Sequence, residues 1–163
     1  MYSCCSGSCE MEKPVDVCEQ CGARVQTVPR ETLESLLTPE AAKRLQPGTY
    51  FFDPSPHCDV VYFSNQQNSY FTKRDVRIRI GIKETEPPIP ICYCFGHTVE
   101  SARAEIQATG QSTVAGQITK EIQAGNCACE VKNPSGRCCL GEVNKAIIRI
   151  RAESKPRVPS DVS

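Results

Sequence analysis

The chain has 163 residues, of which 12 are cysteine and none is tryptophan, and 39% are apolar. A chain of this length and composition suits one compact domain or two small ones, whose small cores need disulfides or metals for stability. Its 19 basic and 19 acidic side chains give no net charge, which argues against a surface for nucleic acid, and no apolar run reaches the roughly 20 residues that span a bilayer.

Residues 1–13 are predicted to form a flexible tail. They show no basic start, apolar run or cleavage site of a signal peptide, so we expect a cytoplasmic protein, in which closely spaced cysteines are more often metal ligands than disulfides. Cys4, Cys5 and Cys9 could act as a hook for Cu(I) or another soft metal, since thiolates select soft ions. The alternative is an incidental cysteine-rich tail.

A small, β-rich zinc-binding module, here called the first module, is predicted over residues 14–86. Cys18 and Cys21 form a CxxC motif followed by glycine, which supplies half of a tetrahedral zinc site. A redox dithiol would open a helix, whereas residues 24–28 have the pattern of a strand. This cysteine pair therefore favours zinc.

The other half of the zinc site is expected in a proline-rich turn further along the chain. Strand-like runs at residues 50–52 and 60–63 flank this turn, which offers Cys58, His57 and Asp53 as ligands. The residues themselves leave the fourth ligand open between these side chains.

The first module also contains a helical segment and further strands. Leucines at helical spacing over residues 29–46 predict a helix, which Thr38 and Pro39 interrupt. Residues 69–72 and 76–82 complete the predicted sheet. In the second of these runs apolar residues alternate with arginines, which is typical of a half-buried strand.

A charged and then proline-rich segment over residues 83–90 predicts a domain boundary. A small helical module, the second module, follows over residues 87–152, and residues 153–163 are predicted to be a disordered tail. Cap residues, glycine stops and apolar spacing predict three helices, over residues 98–110, 113–125 and 140–149. The predicted fold class is α+β.

Six cysteines lie at the two ends of the first two of these helices: Cys92, Cys94, Cys127, Cys129, Cys138 and Cys139. These two helices would act as a spacer that returns the chain to the start of this segment, so we expect the thiols at the two ends of the segment to meet. Four thiolates gathered in this way favour an iron-sulfur cluster, with Cys92, Cys94 and one member of each later pair as ligands. A second zinc site in the same thiolates is the alternative.

Several of these motifs together resemble the N-terminal portion of CopZ-type copper chaperones, over roughly residues 15 to 150. The resemblance rests on Cys92-Tyr93-Cys94 and on residues 58–63, 77–83 and 129–141. It implies a mononuclear zinc in the first module. It also implies a 2Fe-2S cluster in a helical second module like bacterioferritin-associated ferredoxin.

Carried over position by position, the resemblance implies a ligand set for each metal. The zinc ligands are Cys18, Cys21, Asp53 and Cys58. The cluster ligands are Cys92, Cys94, Cys129 and Cys139. Asp53 stands where relatives place a cysteine, and the choice of Cys129 over Cys127 follows the family's spacing to the last cysteine pair. Cys139 is favoured over Cys138.

We therefore expect a cytoplasmic chaperone for copper or another thiophilic metal. Because the cluster thiolates and the tail hook lie in one chain, the cluster could reduce Cu(II) to Cu(I). The chaperone's expected partners are the metal cargo and a metal-transporting ATPase or a redox partner, without nucleic acid or membrane insertion. Long members of the family continue into a heavy-metal-associated domain, and here Cys4, Cys5 and Cys9 could replace that copper site. The alternative is a ferredoxin-like electron-transfer adaptor. No catalytic triad or phosphate loop indicates an enzyme.

Overall fold

The computed structural model describes residues 17–155. Cys4, Cys5 and Cys9, the predicted soft-metal hook, lie outside the described residues. Within the described part the chain is a mixed α/β protein with an antiparallel sheet followed by several helices, in keeping with the predicted α+β class. No helix in this range is both long and apolar enough to cross a membrane.

The first module is built on a four-stranded antiparallel sheet, in the order β1-β2-β3-β4. Its elements are β1 (Gln26–Val28), α1 (Arg30–Leu36), α2 (Pro39–Ala42), β2 (Tyr50–Phe52), β3 (Val60–Ser64) and β4 (Ser69–Thr72). The predicted interruption of the helix is confirmed. Thr38 caps α2 by accepting a hydrogen bond from the Ala41 amide at 3.3 Å, and Pro39 starts the new helix.

The sheet is apolar on both faces, so each face packs against another part of the module. One face packs against α1 through residues such as Leu33, Tyr62 and Phe71, which are fully buried. The other face carries Phe51 and Phe63, whose rings stack at 5.7 Å, and two cysteines of the predicted zinc site are buried against them. The loops of the predicted zinc site therefore lie on the side of the sheet opposite α1.

The predicted strand over residues 76–82 is wrong. Of these residues, only Val76 makes a β-bridge, and its partner is Leu37 at the end of α1. The Arg77 amide donates to the Leu36 carbonyl at 2.8 Å, so the main chain is bound by a helix end rather than by a neighbouring strand. The segment closes in a 3-10 turn over Gly81–Lys83.

The second module is largely helical and opens with a small hairpin. Its elements are β5 (Pro90–Cys92), β6 (His97–Thr98), α3 (Val99–Thr109), α4 (Val114–Gln123), α5 (Cys129–Lys132) and α6 (Leu140–Ser154). The predicted caps are confirmed at α3, where Thr98 forms a capping box with Ser101 and Gly110 ends the helix with φ +78°. Helix α6 continues through Ser154, beyond its predicted end, into the predicted tail.

The two modules have separate cores but share a polar interface. Helix α1 packs against α5, and the Thr32 hydroxyl donates to the Glu130 carbonyl. The buried Tyr62 hydroxyl donates to the Pro134 carbonyl at 2.5 Å. Pro134 belongs to residues 133–139, here called the cysteine loop. The loop that carries the last cysteine pair is thus held against the first module.

Candidate metal centres

The first candidate centre brings four predicted zinc ligands together. The Sγ atoms of Cys18, Cys21 and Cys58 and a carboxylate oxygen of Asp53 all lie within 4.8 Å of one another. Zinc-sulfur bonds of about 2.3 Å in a tetrahedron place the sulfurs about 3.8 Å apart, so this donor set fits a zinc ion with little rearrangement. His57 is exposed and stands outside the group.

The CxxC loop takes its shape from its own backbone. The Gly22 amide donates to the Cys18 carbonyl at 2.7 Å, and the Cys18 amide donates to the Ala23 carbonyl at 3.1 Å. Gly22 adopts φ +72°, a conformation that glycine reaches without strain. This tight knuckle buries Cys18 and leaves Cys21 exposed.

Asp53 enters the site from the end of β2. Its amide donates to the Val61 carbonyl at 2.9 Å, which continues the β2–β3 pairing and fixes the start of the turn. Its Oδ1 accepts a hydrogen bond from the Ser55 amide at 2.7 Å, and its Oδ2 lies 3.2 Å from the Cys21 Sγ. The two carboxylate oxygens therefore have different partners, one in the turn and one among the thiols.

The buried thiols and the carboxyl group of this centre have pKa shifts in opposite directions. Burial raises the pKa of the Cys18 and Cys58 thiols above the usual range. Burial also opposes ionisation of Asp53, but hydrogen bonds from Cys18, the Ser55 amide and the other thiols outweigh it and lower the pKa of this carboxyl group. Binding of a cation must therefore displace thiol protons.

The second candidate centre gathers thiols from the hairpin and from the two later cysteine segments. Cys92 accepts a hydrogen bond from the Cys139 thiol at 3.3 Å. The Sγ atoms of Cys94 and Cys129 lie 3.4 Å apart, and Cys127 lies 3.2 Å from Cys129. Thiols from both ends of the segment that holds α3 and α4 therefore meet, as predicted, but each of these helices packs against α6.

The two cysteines of the last pair differ in burial. Cys139 is buried at the N-terminal cap of α6, whereas Cys138 is exposed. Cys127 is half-buried and joins Cys94 and Cys129, whose ligand atoms all lie within 4.8 Å. Five thiols thus surround the centre, one more than a cluster takes.

The chemistry of this donor set fits a 2Fe-2S cluster. Its ligand atoms are all thiol sulfurs, arranged as one pair from Cys92 and Cys139 and one from Cys94 and Cys129. Each iron of such a cluster takes two thiolates. The hydrogen bond from Cys139 lowers the pKa of the Cys92 thiol, which favours the thiolate that a metal binds.

Two residues near the centres were not predicted from the sequence. Lys83 is fully buried beside Asp53, although it lies in a segment read as a strand and then a linker. The hydroxyl of Tyr93 accepts a hydrogen bond from the Gly81 amide at 2.8 Å, and burial raises the pKa of Tyr93 to about 12. No local pattern in the sequence indicates either contact.

Known proteins share this architecture. Residues 15–77 match a family model described as a zinc binding domain of the CopZ type. The copper chaperone CopZ of Archaeoglobus fulgidus is 35% identical over 108 residues, which are 66% of this chain and 50% of that protein, so the chain spans about half the length of this relative. The X-ray structure of the N-terminal domain of A. fulgidus CopZ superimposes with a TM-score of 0.65 at 28% identity, over 79% of this chain and 95% of that one. Residues 15–77 therefore carry a zinc-binding domain of the CopZ type, and the chain is homologous to the N-terminal domain of that chaperone.

Proposed function

We propose that this protein is a metallochaperone for copper or another thiophilic metal, which binds one zinc ion and one 2Fe-2S cluster. The observation that carries the proposal is the presence of two separate thiol centres in one chain that is homologous to part of a copper chaperone. In this proposal the zinc ligands are Cys18, Cys21, Asp53 and Cys58. The cluster ligands are Cys92, Cys94, Cys129 and Cys139.

The zinc site has a structural role in this proposal. Four protein ligands leave no open position for a substrate, and closed sites of this kind stabilise folds rather than perform chemistry. Cys18 and Asp53 are fully buried, and Cys18 packs in one apolar cluster with the stacked rings of Phe51 and Phe63. The zinc would fix the loops at one face of the sheet while the opposite face supports α1.

The second centre supplies electrons in this proposal. A 2Fe-2S cluster exchanges one electron at a time, which is what the reduction of Cu(II) to Cu(I) requires. Cys94 and Cys127 are half-buried and keep one side of the centre accessible to a metal ion or a partner protein. The tail thiols Cys4, Cys5 and Cys9 would then hold Cu(I), because soft ligands select soft metals.

The partners follow from this chemistry. A chaperone would receive copper ions and pass Cu(I) to a metal-transporting ATPase. The alternative is a ferredoxin-like adaptor that passes electrons to a partner enzyme, and the partly exposed side of the second centre suits that function as well. Both functions suit the cytoplasm, where the reducing environment keeps thiols reduced.

An anaerobic titration tests the proposal and separates the two functions. The dithionite-reduced protein, freed of excess reductant, is mixed with Cu(II), and visible absorption reports cluster oxidation while a Cu(I) chelator reports the product. A chaperone gives about one Cu(I) for each cluster oxidised, because each step moves one electron. Absence of electron transfer removes the reductase function.

Two sets of substitutions in the N-terminal tail distinguish Cu(I) binding from electron transfer. Serine at Cys4, Cys5 and Cys9 should abolish tight Cu(I) binding and leave the cluster spectrum unchanged. Alanine at Ser6 and Ser8 in the same tail is the control and should change neither. If the serine variant binds Cu(I) as tightly as the unmodified protein, the tail is not the copper site. If the unmodified protein itself binds no Cu(I) tightly but keeps its redox behaviour, a ferredoxin-like adaptor becomes the better account.

A further inference from the structure

Lys83 is a buried cation at the first metal centre. Its side chain is fully buried, as is that of Asp53, and its Nζ lies 3.8 Å from the Asp53 Oδ1. The same ammonium group donates to the Ser55 carbonyl at 2.7 Å and to the Cys58 carbonyl at 2.9 Å. These contacts join the 3-10 turn after the sheet to the turn that carries two predicted ligands.

A buried ammonium group needs both hydrogen-bond acceptors and a nearby negative charge. The two carbonyls satisfy its hydrogen bonds, and Asp53 supplies a negative charge. Three thiolates and one carboxylate around a divalent ion leave a net charge of about −2, which a neighbouring cation offsets. The position of the lysine therefore complements the negative charge of Asp53 and, in the proposed site, that of the other ligands.

The two carboxylate oxygens of Asp53 also have different partners. Oδ1 is held by the Ser55 amide at 2.7 Å and by Lys83, whereas Oδ2 lies 3.2 Å from the Cys21 Sγ. Oδ2 is the oxygen that faces the Cys21 thiol. A carboxylate held in this way offers a single oxygen, as a cysteine offers a single sulfur.

We infer that Lys83 is a positioning residue for the zinc site. It holds the Ser55–Cys58 turn through two carbonyls, directs Asp53 to bind through Oδ2 alone, and offsets the negative charge of the ligands. This inference rests on the proposed zinc site. It gives a physical reason why aspartate can occupy a ligand position in this chain.

The test is zinc competition against a chromophoric chelator, with a double-mutant cycle. Lys83→Met, which keeps an unbranched side chain but removes the ammonium group, should weaken zinc binding by about tenfold or more, as loss of an outer contact to a metal ligand does. In the Asp53→Asn background the same change should cost less than about threefold, because no carboxylate remains to be directed. Lys145→Met is the control, since that side chain is 75% exposed, and it should leave affinity unchanged.

The outcomes separate this inference from the zinc site itself. If the unmodified protein binds no zinc, the proposed site fails. If it binds zinc and Lys83→Met binds within about twofold as tightly, only the inference on Lys83 is overturned. An equal loss in both backgrounds overturns it too, because a purely structural lysine has no coupling to the carboxylate. Lys83→Gln, which retains donors for the two carbonyls, takes the place of Lys83→Met if circular dichroism shows that the methionine variant does not fold.

Discussion

Gly136→Ala tests whether the first module fixes the cysteine loop. Gly136 adopts φ +67°, and a Cβ atom added there would lie 2.5 Å from the Cδ of Pro29 and 2.8 Å from the Oγ1 of Thr32. A left-handed conformation costs a residue with a side chain about 1–2 kcal/mol. Overpacking against a rigid proline ring adds about 1–3 kcal/mol. We therefore expect the free energy of unfolding to fall by about 2–5 kcal/mol.

Gly110→Ala is the matched control for this substitution. Gly110 has φ +78° at the end of α3, but a Cβ atom there would meet nothing within 4 Å. This variant should lose only the conformational cost, about 1–2 kcal/mol. Anaerobic urea unfolding followed by circular dichroism gives both values, and visible absorption shows whether Gly136→Ala loses its cluster at lower urea. Equal losses in the two variants would refute the claim that the cysteine loop is packed tightly against the first module.

Three further predictions concern the metal centres and the interface. Cys139→Ser should abolish the visible spectrum of the reconstituted cluster, whereas Cys138→Ser should retain it, because Cys139 is buried in the centre and Cys138 is exposed. The reverse result would make Cys138 the cluster ligand. Tyr62→Phe should lower the free energy of unfolding by about 1–3 kcal/mol, because the Pro134 carbonyl loses its buried hydrogen-bond donor. Urea titration measures this change, and an unchanged midpoint of unfolding would contradict the prediction. Zinc affinity should fall as pH decreases from 8 to 6, because burial raises the pKa of the Cys18 thiol and protons then compete with the metal. A zinc competition assay that shows no pH dependence would contradict this coupling between proton release and zinc binding.

Local signals in the sequence were sufficient for most secondary structure. Thr98 and Gly110 bound α3 because a capping hydroxyl and a left-handed glycine act within one turn of the helix. The strand predicted over residues 76–82 failed for a non-local reason. Its alternation fits a strand, but its main chain pairs with the end of α1 at Leu36 and Leu37, and this contact across the fold leaves no mark in the segment itself.

The sequence predicts some residues of the candidate centres and not others. The CxxC motif marks the first centre directly, whereas the choice between Asp53 and His57 depends on a turn that buries one side chain and exposes the other. Lys83 could not be predicted, since its burial follows from the 3-10 turn that replaced the expected strand. The ligand sets of both centres stay predictions, which metal analysis must test.

Metal analysis of protein purified without oxygen tests the central claim most directly. The account predicts a coloured protein with about one zinc, two iron and two acid-labile sulfide per chain. A colourless protein that takes up no sulfide on reconstitution, with zinc in both thiol centres, would contradict it.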